Sequence, residues 1–128
     1  MRLLLDTHAL IWALLKGGPL SERARDAIVD PGNEVFVSSA SAWEIATKHR
    51  LGKLPEAKNV ANHLPAQIKE AHFTILPISL DHALAAGRLR GPHKDPFDRM
   101  LIAQAEIEHL EVVSIDPVFR RYGVAVLW

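Results

Sequence analysis

The sequence predicts an α/β domain of three layers, with helices on both faces of a central, mainly parallel sheet of about five strands. Five short runs rich in Val, Ile and Leu, at residues 3–5, 35–37, 73–76, 112–115 and 124–127, alternate with longer stretches of helical apolar spacing. Within those runs the apolar residues are nearly continuous, as in strands covered on both faces. The length agrees, since 128 residues give room for one domain, read as residues 1–128.

In chain order, residues 3–5 read as a buried strand and residues 8–15 as a helix stopped by Gly17-Gly18-Pro19. Ser21 offers an N-cap for a second helix that ends near Asp30-Pro31-Gly32. After the strand at 35–37 comes a Ser-rich turn, then a helix through Trp43, Ile45 and Leu51. Residues 59–71 are amphipathic and read as helix, with a kink expected at Pro65. The strand at 73–76 precedes a helix capped by Ser79 and running to about Arg90. Gly91-Pro92-His93-Lys94-Asp95-Pro96 is a loop that ends in a helix-start signal. The helix at 97–109 is apolar nearly all round, with Met100, Leu101, Ile102, Ala103, Ala105 and Ile107, so burial between layers is expected. A strand at 112–115, a short turn from Pro117 and a last strand at 124–127 complete the pattern.

Composition narrows the function classes. Hydrophobic residues make up 48% and charged residues 23%, which supports a packed core and opposes disorder. Fifteen Lys and Arg balance fifteen Asp and Glu, so any polyanion contact must come from a local patch. Zero Cys excludes a disulfide scaffold, thiol catalysis and cysteine-ligated zinc. No apolar stretch approaches the ~20 residues of a membrane span. The apolar start is broken by Asp6 and His8, with no small-residue cleavage site after it. A soluble, cytoplasmic domain is expected, with no membrane partner.

Right-handed crossovers place the carboxyl ends of all parallel strands on one edge of the sheet, where ligands bind in such folds. Asp6 follows the first strand, Glu44 lies early in the helix after the second, Asp95 and Asp98 open the helix at 97–109, and Asp116 follows the fourth strand. Each acid has an ordinary structural explanation. Asp6 can cap the first helix, and Ser41-Ala42-Trp43-Glu44 matches a capping box. Asp95-Pro96 is an N-cap with a first-turn Pro, Asp98 suits the positive end of the helix dipole, and Asp116-Pro117 repeats the pattern.

Their convergence is harder to explain structurally. Carboxylates within ~6 Å raise one another's pKa, and a fold that gathers them calls for something cationic. Asp98 sharpens this, because it shares a helical stripe with Ile102 and Ala105 and would be costly unpaired. Hard oxygen donors without Cys or paired His suit Mg²⁺ or Mn²⁺ rather than zinc. The matching chemistry is metal-assisted phosphodiester hydrolysis.

The blocks Leu3-Leu4-Leu5-Asp6-Thr7-His8, Ser38-Ser39-Ala40-Ser41-Ala42-Trp43-Glu44-Ile45 and Asp95-Pro96-Phe97-Asp98-Arg99-Met100-Leu101-Ile102-Ala103-Gln104-Ala105 resemble those of PIN-domain ribonucleases, and most of all the VapC-type toxins of bacterial toxin–antitoxin pairs. Lys48-His49-Arg50-Leu51-Gly52-Lys53-Leu54 and Ser114-Ile115-Asp116-Pro117-Val118-Phe119 fit the same family, so the resemblance covers nearly the whole chain. It implies a PIN-like fold and a Mg²⁺- or Mn²⁺-dependent endoribonuclease, with Asp6, Glu44 and Asp98 as the core metal-binding, catalytic acids. Asp116 matches the family's fourth acidic or amide position. Asp95 suits a cap or a supporting role, while Thr7 and Ser114 match hydroxyl positions that hydrogen-bond carboxylates or water. The resemblance also implies an RNA substrate, a homodimer, and a small antitoxin whose tail enters the acidic cleft.

Among basic residues, Lys48, His49, Arg50 and Lys53 offer a phosphate-contacting strip or an ordinary solvated helix face. Arg99, beside Asp98, suits a carboxylate or an RNA contact, or an exposed ion pair. Arg120 and Arg121 are expected on the surface, and His93 and Lys94 in a loop that could touch substrate. Trp12 and Trp43 read as core or dimer-interface residues rather than base-stacking platforms.

Two other activities are opposed by the sequence. A phosphoacceptor signalling domain needs adjacent acids after the first strand, an Asp after the third and a Lys after the last, all missing here. A phosphatase D-x-D is opposed by His8 in the second acidic place. A catalytically silent binding module of the same fold stays open.

Overall fold

A computed structural model describes residues 1–128, apart from the side chain of Glu56. The apolar runs become strands β1 (Arg2–Leu5), β2 (Glu34–Ser38), β3 (Thr74–Leu76), β4 (Glu111–Val113) and β5 (Val126–Leu127). All neighbours pair in parallel, in the order β3-β2-β1-β4-β5. The central strand is buried along its length because each of its three leucines meets a packed layer. Leu3 and Leu5 join Val35, Val37 and Val113 in one core cluster, and Leu4 joins Phe36 and Val112 in another on the opposite face. This is the three-layer α/β/α arrangement that uniformly apolar strands require.

The first layer is built from α1 (Thr7–Leu15), α2 (Glu22–Val29) and α4 (Lys58–Glu70), which supply Leu10, Ile11, Ile28, Val60, Leu64 and Ile68 to its core. The second is built from α6 (Pro96–Glu108) and the one-turn α7 (Val118–Arg121), with Leu101, Ile102 and Phe119 at its centre. Ser21 caps α2 through Ala24 N–H at 3.0 Å, and Ser79 caps α5 (Leu80–Arg88) in a capping box with His82. Helix α4 breaks to φ −129° at His63, two residues before Pro65, whose ring cannot continue a regular helix.

Four expectations need correction. No Ser-rich turn separates β2 from α3 (Ser39–Arg50); Ser38 ends the strand and caps the helix through Ala40 N–H at 3.0 Å. Ser41 is therefore inside α3, and Ser41–Glu44 is not a capping box. Helix α6 is enclosed through its middle as expected, with Leu101–Ala105 all buried, and opens towards its ends, where Ile107 is 40% exposed. The fourth strand stops at Val113, since Ser114 turns its hydroxyl to Asp6 and Ile115 points outward, 60% exposed. The segment after Pro117 is the helical turn α7, whose Val118 and Phe119 are driven inward.

The strand order has one functional consequence. From β1 the chain winds outward through β2 and β3, then returns to build β4 and β5 on the other side. The segments leaving β1 and β4 therefore diverge, opening a crevice at the carboxyl edge of the sheet.

Candidate metal-binding site

Asp6 and Ser114 occupy that crevice because they directly follow β1 and β4. The Asp6 N–H continues the ladder to Val113 O at 3.2 Å, then the chain turns into α1 with Asp6 as N-cap. Oδ1 accepts Ala9 N–H at 2.8 Å and Oδ2 accepts the Ser114 hydroxyl at 2.5 Å. Burial pushes the Asp6 pKa up, against those two hydrogen bonds, and the Asp116 charge adds to the rise. Asp116 itself is exposed; it accepts Val118 N–H at 2.9 Å and donates its own N–H to Ser114 Oγ at 2.9 Å.

Thr7 links this pair to a second acidic group. Its Oγ1 lies 2.5 Å from Glu44 Oε1 and 3.1 Å from Ser41 Oγ. A carboxylate only accepts, so the Thr7 proton goes to Glu44 and Ser41 can donate to Thr7. Glu44 is 5% exposed, and its other oxygen accepts from Lys48, one turn along α3. Burial alone would lower the Lys48 pKa, but the Glu44 hydrogen bond and the charges of Glu44, Asp95 and Asp98 hold it above its ordinary value. Lys48 is thus a cation standing among three carboxylates.

Asp95 caps α6, accepting Phe97 N–H at 2.9 Å and Asp98 N–H at 3.2 Å. Asp98, half-buried in the first turn, meets His93 Nε2 through Oδ2 at 2.8 Å. Its pKa is pushed up to about 6, first by burial and then by the neighbouring charges of Asp95 and Glu44, with the His93 hydrogen bond opposing. The acids are therefore brought together as two groups, Asp6 with Asp116 and Glu44 with Asp95 and Asp98, joined through Thr7.

Among the described residues, no three His, Asp or Glu side chains converge tightly enough to hold a metal ion in their present rotamers. The reason is visible in the hydrogen bonds. Each buried carboxylate is turned onto a protein donor: Ser114 for Asp6, Thr7 and Lys48 for Glu44, His93 for Asp98. The donor chemistry nevertheless fits a hard divalent cation, since these are carboxylate oxygens whose repulsion is relieved only in part.

Arg99 is not aimed at a carboxylate or at open solvent. Its guanidinium donates to the carbonyls of His93, at 3.0 Å, and Leu89. Trp43 is not in the core either; it is 59% exposed and meets Phe97 edge-on at 4.9 Å. Trp12 packs on the first core and against Trp128 at 6.0 Å. Arg50, Lys53, Arg120 and Arg121 are exposed, so of the basic strip it is Lys48 that reaches the acids. His93 touches a site carboxylate, a role that loop position alone did not signal.

An all-parallel sheet with carboxylates at its switch point and on the early turns of α3 and α6 defines a class of α/β domains with an acidic carboxyl edge. The PIN domain family profile matches residues 3–125, and the chain belongs to that family. A 64-residue segment is 41% identical to Ribonuclease VapC16 of Mycobacterium tuberculosis; the match covers 50% of this chain and 44% of that protein, less than half its length. Among solved structures, VapBC2 from Rickettsia felis, bound to a promoter DNA fragment, aligns with a TM-score of 0.72 and 17% identity over 99% of this chain and 98% of that one. FitAcB from Neisseria gonorrhoeae aligns at 0.69 and 24%, covering 98% and 96%. VapC20 of Mycobacterium tuberculosis, a toxin described as cleaving the sarcin-ricin loop, aligns at 0.69 and 15%, covering 96% of each chain. These structures share the fold.

Proposed function

We propose that this chain, as one PIN-like domain over residues 1–128, is a divalent-metal-dependent endoribonuclease that hydrolyses RNA phosphodiester bonds as the toxin of a toxin–antitoxin pair. The observation that carries the reading is the pair of acidic groups at the switch point, tied together by Thr7. Asp6, Glu44 and Asp98, with Asp116 beside them, would hold Mg²⁺ or Mn²⁺. A cation bound there supplies charge to the scissile phosphate and acidifies the attacking water. Ser114 donates to Asp6, favouring the ionised carboxylate a cation needs, and Thr7 donates to Glu44. Asp95 holds the first turn of α6 and so fixes where Asp98 projects. Lys48 neutralises Glu44 in the free protein and offers a phosphate a positive partner once a cation takes over that carboxylate.

The names of the aligned proteins support the biological half of the proposal: one is a ribonuclease, another an RNA-loop-cleaving toxin, and several come from VapBC toxin–antitoxin complexes. A small antitoxin, a second copy of this chain and a cytoplasmic RNA substrate are the partners that follow. Among the described residues no helix is long and apolar enough to cross a membrane.

Incubation with total RNA tests the activity. Cleavage is expected with Mg²⁺ or Mn²⁺, to stop in EDTA, and to be lost in Asp6→Asn and Asp98→Asn while the fold persists. One observation favours a catalytically silent module instead, namely the closure of every buried carboxylate onto a protein donor; that reading predicts intact RNA under all conditions. Cleavage that survives EDTA or both substitutions would remove the metal mechanism.

A further inference from the structure

The segment between α5 and α6 is held by Tyr122, remote in sequence, and by Arg99 of the following helix, with two of these contacts on the backbone of His93. The Tyr122 hydroxyl, just past α7, accepts the His93 N–H at 3.1 Å. Arg99 of α6 donates to the His93 carbonyl at 3.0 Å and also to the Leu89 carbonyl. The two rings of His93 and Tyr122 stand 6.4 Å apart at 65°. Gly91 turns the chain at φ +112°, where an L side chain is strained, and a Cβ there would overlap the Tyr122 hydroxyl. With backbone N–H and C=O both fixed, the His93 imidazole has its Nε2 2.8 Å from Asp98 Oδ2.

We propose that Tyr122, Arg99 and Gly91 form a latch that makes His93 a positioning residue for the acidic site, orienting the Asp98 carboxylate so that Oδ2 is held by the protein and Oδ1 is presented to a cation. The inference rests on the proposed metal-binding role of Asp98 and deepens it. The physical argument is that of an outer-shell partner. An imidazole N–H on one oxygen of a ligating carboxylate fixes its rotation and favours its ionised form, and losing such a partner typically weakens metal binding by about 10–100-fold. With Asp98 ionised, Nε2 must carry the proton, because the carboxylate can only accept. The Tyr122 ring packs against the second core, and its hydroxyl reaches the acidic site through His93.

Tyr122→Phe removes a single oxygen and keeps the ring, so it isolates the latch. Two readouts on the full chain decide the matter. In metal-free protein, ring ¹⁵N shifts of His93 should show one protonated and one bare nitrogen in the wild type, moving toward tautomer averaging in Tyr122→Phe. With Mn²⁺ as the probe, Tyr122→Phe should bind about tenfold more weakly while its melting temperature drops by no more than about 5 °C. His93→Ala should weaken binding at least as much, His93→Gln should recover part through its amide N–H, and Tyr122→Phe added to His93→Ala should cause no further loss. Unchanged Mn²⁺ affinity in Tyr122→Phe, or additive losses in the double variant, would overturn the inference. A wild type that binds no Mn²⁺ would overturn the metal reading instead, and the nitrogen shifts would then decide the latch alone: wild-type shifts in Tyr122→Phe refute it.

Discussion

The two ends of the sheet differ in what they bury. At the amino ends of β2 and β3 lies a cleft of about 840 Å³ lined largely by apolar groups, among them Trp12, Leu20, Ile28, Val29 and Phe73. At the carboxyl ends Asp6, Glu44, Thr7 and Ser114 are all buried. The apolar cleft lies between α1, α2 and the segment that joins α4 to β3. The acidic edge is the opposite, a place where the fold tolerates desolvated charge and meets it with hydroxyls, an ammonium and an imidazole. Space and chemistry are separated by the height of the sheet, and the chemistry marks the site.

Substitutions can break that comparison. The largest effect belongs to the acidic edge: Asp6→Asn and Asp98→Asn should each lower RNA cleavage more than about a hundredfold in a gel-based assay, beyond the usual loss from an outer-shell change. At the other end, Trp12→Ala should leave cleavage within about twofold while lowering stability by about 2–4 kcal/mol in urea titration, because Trp12 packs on the core and on Trp128. A drop in cleavage comparable to that of Asp6→Asn would show that the two ends are not separable.

A smaller effect comes from the stored charge. The Asp98 pKa is about 6 in the fold against an ordinary 3.8. Between about pH 4 and pH 6 the folded chain keeps a proton that the unfolded chain has released, so metal-free stability should fall as pH rises through this window. Above it the penalty is complete, on the order of 1–2 kcal/mol after discounting for partial exposure. Asp98→Asn should therefore be more stable than wild type at pH 7 and lack that part of the pH dependence, an inactive variant with a higher melting temperature. The smallest effect is expected from Lys48→Met, which leaves the carboxylates facing one another without their internal cation. Mn²⁺ should bind a few-fold tighter by calorimetry, and weaker binding would mean that Lys48 organises the site rather than competing for it.

Much of this architecture is written locally. Triplets such as Leu3-Leu4-Leu5 and Val35-Phe36-Val37, set between helical segments, read as strands covered on both sides, and a parallel sheet then decides which acids share an edge. Asp6 is legible on that rule because it follows β1 directly, and Asp116 because it lies three residues past the end of β4. What escaped depends on contacts between distant segments. Val118-Phe119-Arg120-Arg121 is too short to show a helical period, so α7 read as a turn. Ser41 and Glu44 have capping-box spacing, but Ser38 takes the cap and frees Glu44 to meet Thr7 and Lys48. Arg99 looked like a ligand for phosphate or carboxylate; its real partners are two loop carbonyls, whose position is set by Gly91 and Tyr122. Trp43 lies on the outer side of α3, where helical spacing alone could not distinguish a core face from an apolar surface beside Phe97.

The central claim is that Asp6, Glu44 and Asp98 hold one divalent site between them. Anomalous diffraction from a crystal equilibrated with Mn²⁺ tests it most directly. The account predicts a manganese peak at the β1–β4 crevice, ligated by oxygens of Asp6 and Asp98, with Glu44 turned from Lys48 toward the ion. A crevice without a peak at saturating Mn²⁺, and with Glu44 still paired to Lys48, would contradict it.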